Sequence, residues 1–126
     1  MRNAIILVIA LGILIIASIW QIRYIEESSI YAVSDTQYIV NLINNDDFDG
    51  SKKHLTELKE TWKDMCKIWN IFIIHDEIDE IEEIMVNFDM YTKLENKEEA
   101  LVYAERLKRS FEHIALKQKV RIENVF

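Results

Sequence analysis

The stretch AIILVIALGILIIASIW, residues 4–20, decides how this chain is built. It contains no charged residue, and Ile22 extends the apolar segment past Gln21. Nineteen helical residues at about 1.5 Å each reach roughly 28 Å, which is close to the thickness of the hydrocarbon core of a bilayer. The stretch therefore predicts a transmembrane helix that contacts the lipid bilayer through residues 4–22.

The residues that flank this segment fit a membrane boundary, where aromatic and basic side chains are favoured. They are Arg2 before the segment and Trp20, Arg23 and Tyr24 at its far end. A cleaved secretory signal would need small residues three and one positions before the cut, and the candidates near Ala17 have bulky neighbours. A buried soluble helix is disfavoured because apolar residues occupy every face. We expect residues 1–23 to stay as a signal anchor.

The orientation of the anchor is predicted from the positive charges beside it. Arg2 and the free amino group lie on one side, and a short positive tail before a first span usually stays in the cytoplasm. We therefore expect the N-terminus in the cytoplasm and residues 24–126 as an extracytoplasmic domain of a cell-membrane protein.

The composition favours helices throughout. The chain has 126 residues, half of them apolar, with no proline and only two glycines. Strand-rich folds need turn residues at short intervals, so we predict an all-α protein of one small domain. Cys66 is the only cysteine, so no intramolecular disulfide can form.

The charge is unevenly distributed along the chain. All 22 acids follow residue 23, and without Arg2 and Arg23 the 15 bases fall to 13, so this region carries −9. Such a surface repels phosphate backbones, and we expect no nucleic-acid partner.

Apolar residues after the anchor recur at helical spacing. The first helix should continue outward to the turn signal NNDDFDG at residues 44–50, after which Asp46 or Asp47 caps a second helix. The predicted inward-facing residues of the first helix are Ile22, Ile25, Ser29, Val33, Thr36, Val40 and Ile43. Those of the second form two heptad series, which are Phe48, Leu55, Trp62 and Trp69, and Ser51, Leu58, Met65 and Phe72.

Two further helices complete the predicted fold. Asn96 caps the fourth helix, with Glu99 three residues later, while residues 120–126 fit either a last turn or an extended segment. The inward-facing residues are Ile78, Ile81, Met85 and Phe88 in the third helix, and Ala100, Ala104, Leu107, Phe111 and Ile114 in the fourth. The chain is thus predicted as a transmembrane helix continuing into a small antiparallel helical bundle.

The start of the third helix carries the densest charge. Residues 76–83 hold six acids, hereafter the acidic cluster, whereas residues 106–121 hold six bases and one acid. This pattern fits antiparallel pairing of the third and fourth helices, and carboxylates also stabilise the first turn of a helix. Asp76 is the predicted N-cap of the third helix.

The acidic cluster adjoins a histidine that suggests an alternative function. His75, Asp79 and Glu82 share one helix face, and antiparallel packing predicts His113 at about the height of His75. These four residues are the candidate ligands for a divalent metal, in a metal-binding protein or a metal-dependent enzyme. The HExxH motif is absent and no second Glu-x-x-His motif faces them. Hydrogen bonds from the imidazoles to nearby groups are the simpler interpretation, and pH sensing is a third.

The apolar residues before His75 also suggest contact with the membrane. If the second helix returns beside the first, residues 68–74 come back to the level of Tyr24 to Ile19. The side chains expected to pack around the emerging helix or to touch the lipid interface are those of Trp69, Phe72, Ile73 and Ile74.

Several short motifs resemble a known family. They are the N-terminal anchor, Trp62, HDEIDEIEE from His75, EHI at residues 112–114 and the closing ENVF. The chain resembles small single-pass proteins of spore-forming Gram-positive bacteria, catalogued as domain of unknown function 4363. The resemblance implies a membrane anchor and a helical domain, and it brings no activity and no site residues.

These observations predict an interaction or scaffolding module without catalysis. We expect its contacts through the acidic cluster and the aromatic residues near the membrane, with another membrane or envelope protein as partner. No cofactor is expected unless the metal alternative holds.

Overall fold

A computed structural model describes residues 1–125, apart from the side chains of residues 122 and 125. Its regular structure is helical, as the composition predicts. The four helices are α1 (Arg2–Asn44), α2 (Phe48–Phe72), α3 (His75–Lys93) and α4 (Lys97–Val125). Of the two structures predicted for residues 120–126, the helical one is confirmed through Val125. Phe126 lies outside the described residues.

The helices form an antiparallel four-helix bundle. Each helix packs against the next one in the chain, and α4 closes the ring by packing against α1. Two turns, at residues 45–47 and 94–96, lie at the end far from the apolar segment, and residues 73–74 form the turn at the near end. We call these the distal end and the basal end.

The core is built from residues at heptad spacing on each helix. In α2 and α4 the predicted inward-facing residues are buried, apart from the half-buried Phe48 and Phe72. In α1 the prediction was wrong in detail, because Ala32 and Ile39 are fully buried where Val33 and Val40 were expected and are half-buried. The buried residues of α1 are Ile25, Ser29, Ala32, Thr36, Ile39 and Ile43.

Three aromatic side chains fill the centre of the bundle. The Trp62 and Trp69 rings pack edge to face at a centroid distance of 5.4 Å, and Phe111 of α4 contacts both at 5.6 and 5.8 Å. Such edge-to-face contacts add to the free energy of burying the rings. The predicted aromatic stripe of α2 is therefore core.

The helix starts differ between the two ends. Asp47 accepts from the Gly50 N–H at 2.9 Å, and Asn96 accepts from the Glu99 N–H at 3.3 Å, so both predicted caps are confirmed. At the basal end the cap prediction for Asp76 is wrong: Ile74 is the N-cap, with extended backbone and no side-chain hydrogen bond. Asp76 lies within the first turn of α3, where its negative charge interacts favourably with the positive end of the helix dipole.

The apolar segment extends beyond the bundle. α1 is 43 residues long, and it is the one described helix long and apolar enough to cross a membrane. None of its most apolar 18-residue window is buried against the rest of the protein. The bundle therefore completes its core without this segment.

Candidate interaction surfaces

The acidic cluster occupies the first turns of α3, and two of its members have partners on neighbouring helices. Glu77 accepts from the Lys117 ammonium of α4 at 2.7 Å, an ion pair that the sequence pattern predicts. On the other side, Glu82 lies 3.6 Å from the Cys66 Sγ of α2. The acidic cluster thus extends around α3, because Glu77 contacts α4 and Glu82 contacts α2.

The other four carboxylates of the cluster face solvent. They have no ion pair within 4.0 Å among the described residues; they are Asp76, Asp79, Glu80 and Glu83. Two of the opposing bases are engaged elsewhere, since Arg106 covers the Tyr103 ring at 5.2 Å and Arg109 lies 3.7 Å from Glu105. These carboxylates are available to a partner with basic groups.

The register of α3 and α4 sets the height of His113 relative to His75. The Glu77–Lys117 ion pair and the Tyr91–Tyr103 stack, at 5.5 Å, place His113 level with Ile81. The cavity that His113 lines with Glu77 and Glu80 places it nearer the level of Glu77. His113 therefore lies about two to six residues, or about 3–9 Å, along the axis from the level of His75.

The surface cavity that His113 lines with Glu77 and Glu80 has a volume of about 230 Å³. Within residues 1–125, no group of three or more His, Cys, Asp and Glu side chains is placed to hold a metal ion. The four candidate ligands, His75, Asp79, Glu82 and His113, are therefore not brought together as such a group. Both histidines are exposed at the surface.

Cys66 is enclosed between α2 and α3 and is 8% exposed. Burial raises the pKa of its thiol, and the nearby Glu82 carboxylate raises it further. A thiol that stays protonated is a poor nucleophile and metal ligand. Cys66 is thus a small core residue, as predicted.

A groove of about 690 Å³ runs between α1 and α4. Ile30, Val33 and Tyr38 form apolar parts of its wall, and the Lys108 ammonium donates to Gln37 Oε1 at 2.7 Å across it. Ser29 also lines the groove, and its hydroxyl has no hydrogen-bond partner among the described residues. This groove was not predicted from the sequence, in which the polar residues Ser34, Gln37 and Asn41 were the available signal.

The basal end brings the α2–α3 turn beside the start of the bundle. The Trp69 indole N–H donates to the Ser28 hydroxyl at 3.0 Å, and the Tyr38 and His54 rings pack at a centroid distance of 4.7 Å; together these contacts bracket the register of α1 and α2. By the first contact residues 68–74 run from the level of Ser29 to that of Arg23, and by the second from the level of Tyr24 to that of Ser18. Residues 68–74 therefore lie at the end that was predicted, at or slightly beyond the predicted level.

Comparison with known proteins gives a family and no activity. The model of a family described as Domain of unknown function (DUF4363) matches residues 19–125. No curated protein and no solved structure matches the chain.

Proposed function

The chain belongs to the DUF4363 family, which is defined without an assigned activity, and we propose that it is a single-pass membrane protein whose helical bundle acts as an interaction or scaffolding module without catalysis. In this proposal the N-terminus lies in the cytoplasm, and residues 24–126 lie on the extracytoplasmic side of the membrane.

The continuity of α1 is the observation that carries this proposal. A single helix runs from the exposed apolar segment into the core of the bundle without a break. An exposed segment of this length and hydropathy is stable in lipid and costly in water. Because the helix has no hinge residue between the two parts, the anchor also holds the bundle close to the bilayer.

The four carboxylates of the acidic cluster without a partner on a neighbouring helix are the proposed contact with another protein. They lie on the first turns of α3, near the basal end, where a second membrane or envelope protein would be within reach. Their charge would select a partner with basic groups and speed its association.

Membrane extraction tests the anchor. We expect the full chain to stay in the membrane fraction at alkaline pH, with an intact N-terminus by mass spectrometry. A soluble chain, or one shortened by cleavage near residue 18, would contradict the proposal. Labelling of a Leu94→Cys variant by an impermeant maleimide on intact cells tests the orientation, and protection from the reagent would reverse it.

Neutralising the cluster tests the contact. We expect Asp79→Asn, Glu80→Gln and Glu83→Gln together to weaken recovery of a co-purifying protein in mild detergent. The matched control is Glu27→Gln, Glu60→Gln and Glu112→Gln, which removes the same charge from exposed residues elsewhere. Equal recovery with both variants would exclude the acidic cluster as the contact. A stoichiometric metal lost with His75→Ala and His113→Ala would instead favour the metal-binding alternative.

A further inference from the structure

We propose that the basal end of the bundle rests on the lipid surface, with the α2–α3 turn contacting the bilayer interface through Ile71 and Ile74. This inference depends on the proposed anchor and adds a second contact between the chain and the same membrane. The partner is lipid, and the contact is apolar.

The chemistry of the basal turn is the first argument. The distal turns contain Asn, Asp and Glu, and the helices that follow them begin with side-chain caps from Asp47 and Asn96. Residues 71–74 are Ile-Phe-Ile-Ile, and Ile74 is the N-cap of α3 without a side-chain hydrogen bond. A turn that faces water favours Asp, Asn or Ser at this position. An apolar turn is better suited to an apolar neighbour.

The exposure of these side chains is the second argument. Ile71 is 71% exposed and Ile74 is 58% exposed, although Ile73 between them is buried. Two further apolar side chains are exposed at this end, Trp20 of α1 and Val120 of α4. Three elements thus present apolar side chains at one end of the molecule, which is typical of an interaction surface.

The height of the turn is the third argument. The Ser28–Trp69 hydrogen bond and the Tyr38–His54 ring contact bracket the register of α1 and α2. They place Ile71 level with residues 21–26 of α1 and Ile74 level with residues 18–23. At about 1.5 Å per residue, these levels lie within about 6 Å of Ile22, where the apolar segment ends. Both side chains therefore lie at the boundary between the hydrocarbon core and the polar layer, which is about 5–8 Å thick in each leaflet.

The charges at the basal end show which force would hold the contact. Acids and bases are mixed there, without a positive excess that would select anionic lipid. The exposed or half-buried ones are Arg23, Lys119 and Arg121, and Glu26, Glu27, Asp76 and Glu123. Docking should therefore occur equally on phosphatidylcholine alone and with added phosphatidylglycerol.

A fluorescent label reports the contact in the full chain. In a Cys66→Ala background, single cysteines replace Ile71 or Ile74, with Leu94→Cys as a distal control of similar exposure, 69%. Each variant carries the environment-sensitive dye NBD in phosphatidylcholine vesicles, with or without bromine on the acyl chains near the headgroup. We expect the labels at 71 and 74 to lose most of their fluorescence to bromine, and the label at 94 to keep it.

An Ile9→Cys label inside the apolar segment separates this inference from the anchor. If the label at 9 is quenched while those at 71 and 74 match the label at 94, basal docking is overturned and the anchor stands. If the label at 9 is not quenched, the anchor fails and the docking with it. Quenching at 71 and 74 only after phosphatidylglycerol is added would overturn the apolar basis of the contact. Circular dichroism of each variant shows that the bundle is intact.

Discussion

Asp89 illustrates what single residues contribute to this bundle. Its side chain is 13% exposed and accepts from the ammonium groups of Lys59 at 3.0 Å and Lys93 at 2.9 Å, which links α3 to α2. Burial alone would raise the pKa of Asp89, but the hydrogen bonds from the two lysines outweigh it, and the pKa lies below its ordinary value of 3.8.

We expect Asp89→Asn to lower the free energy of unfolding by about 1 kcal/mol at neutral pH, since both lysines are partly exposed and screened. A carboxylate with a lowered folded pKa stabilises the protein above the unfolded value, and this effect is lost as the pH falls through the folded value. The difference between wild type and variant should therefore shrink below about pH 3.8. Denaturant unfolding at several pH values measures it. Asp64→Asn, in an exposed pair with Lys67, should change little at any pH.

Single residues were also where sequence reasoning was least accurate. The spacing of His75, Asp79 and Glu82 fixes their positions on one helix, because a helix has a constant rise. The height of His113 depends on the packing register of two helices, which local spacing does not determine. Likewise, Asp76 has a good capping side chain, but the N-cap of α3 lies two residues earlier, at Ile74, which has extended backbone.

The ends of the helices show how turn geometry is set at the scale of an element. α1 and α3 are both followed, one residue past the C-cap, by a non-glycine residue at positive φ, Asp46 at 59° and Glu95 at 57°. The next N–H groups reach back into the last turn, from Asp47 to Leu42 O and from Asn96 to Tyr91 O. This is the pattern that glycine usually completes.

Glu95→Gly should therefore stabilise the bundle. Left-handed backbone costs a residue with a Cβ about 1–2 kcal/mol, and glycine regains part of this after its own entropy cost. We expect a net gain of about 0.5 kcal/mol, reduced slightly by loss of the exposed pair with Lys52, and seen as a higher thermal midpoint. The same change at Glu98, in the first turn of α4, should destabilise the bundle by up to about 1 kcal/mol. A lower thermal midpoint for Glu95→Gly would show that contacts of the Glu95 side chain stabilise the bundle by more than its left-handed backbone destabilises it.

Elements were predicted well because their signals are local and repeated. The heptad series of α2 and the inward-facing residues of α4 are read from several turns, so an error at one position changes little. The first helix was harder, because Val33 and Val40 each follow another apolar residue, Ala32 or Ile39, and it is this preceding residue that is fully buried. The helix boundaries at the distal turns were predicted from Asn and Asp residues. The boundary at the basal turn was less clear, because residues 73–74 include no such residue.

At the scale of the whole molecule, sequence determined the fold class because one apolar segment and three amphipathic ones allow few arrangements. Antiparallel order follows from turns of two or three residues, which leave no room for a crossover. The polar residues of α1 alone did not locate the α1–α4 groove, since it arises where side chains of two distant segments do not fill the space between their helices.

The separation of anchor and bundle leads to a final prediction, that residues 24–126 fold without the anchor. Residues 2–20 are exposed along α1, apart from half-buried Gly12, whereas the core of α1 begins at Ile25, so the deletion removes no core residue. We expect a helical circular dichroism spectrum and one cooperative thermal transition. A fragment starting at residue 37 is the control, because it also loses Ile25, Ala32 and Thr36, which are fully buried. Their loss should exceed the net stability of a small domain, about 5–15 kcal/mol, once the helix that carries them is gone. If the longer fragment also lacks a cooperative transition, the anchor is part of the folding unit, and the predicted boundary near residue 23 is wrong.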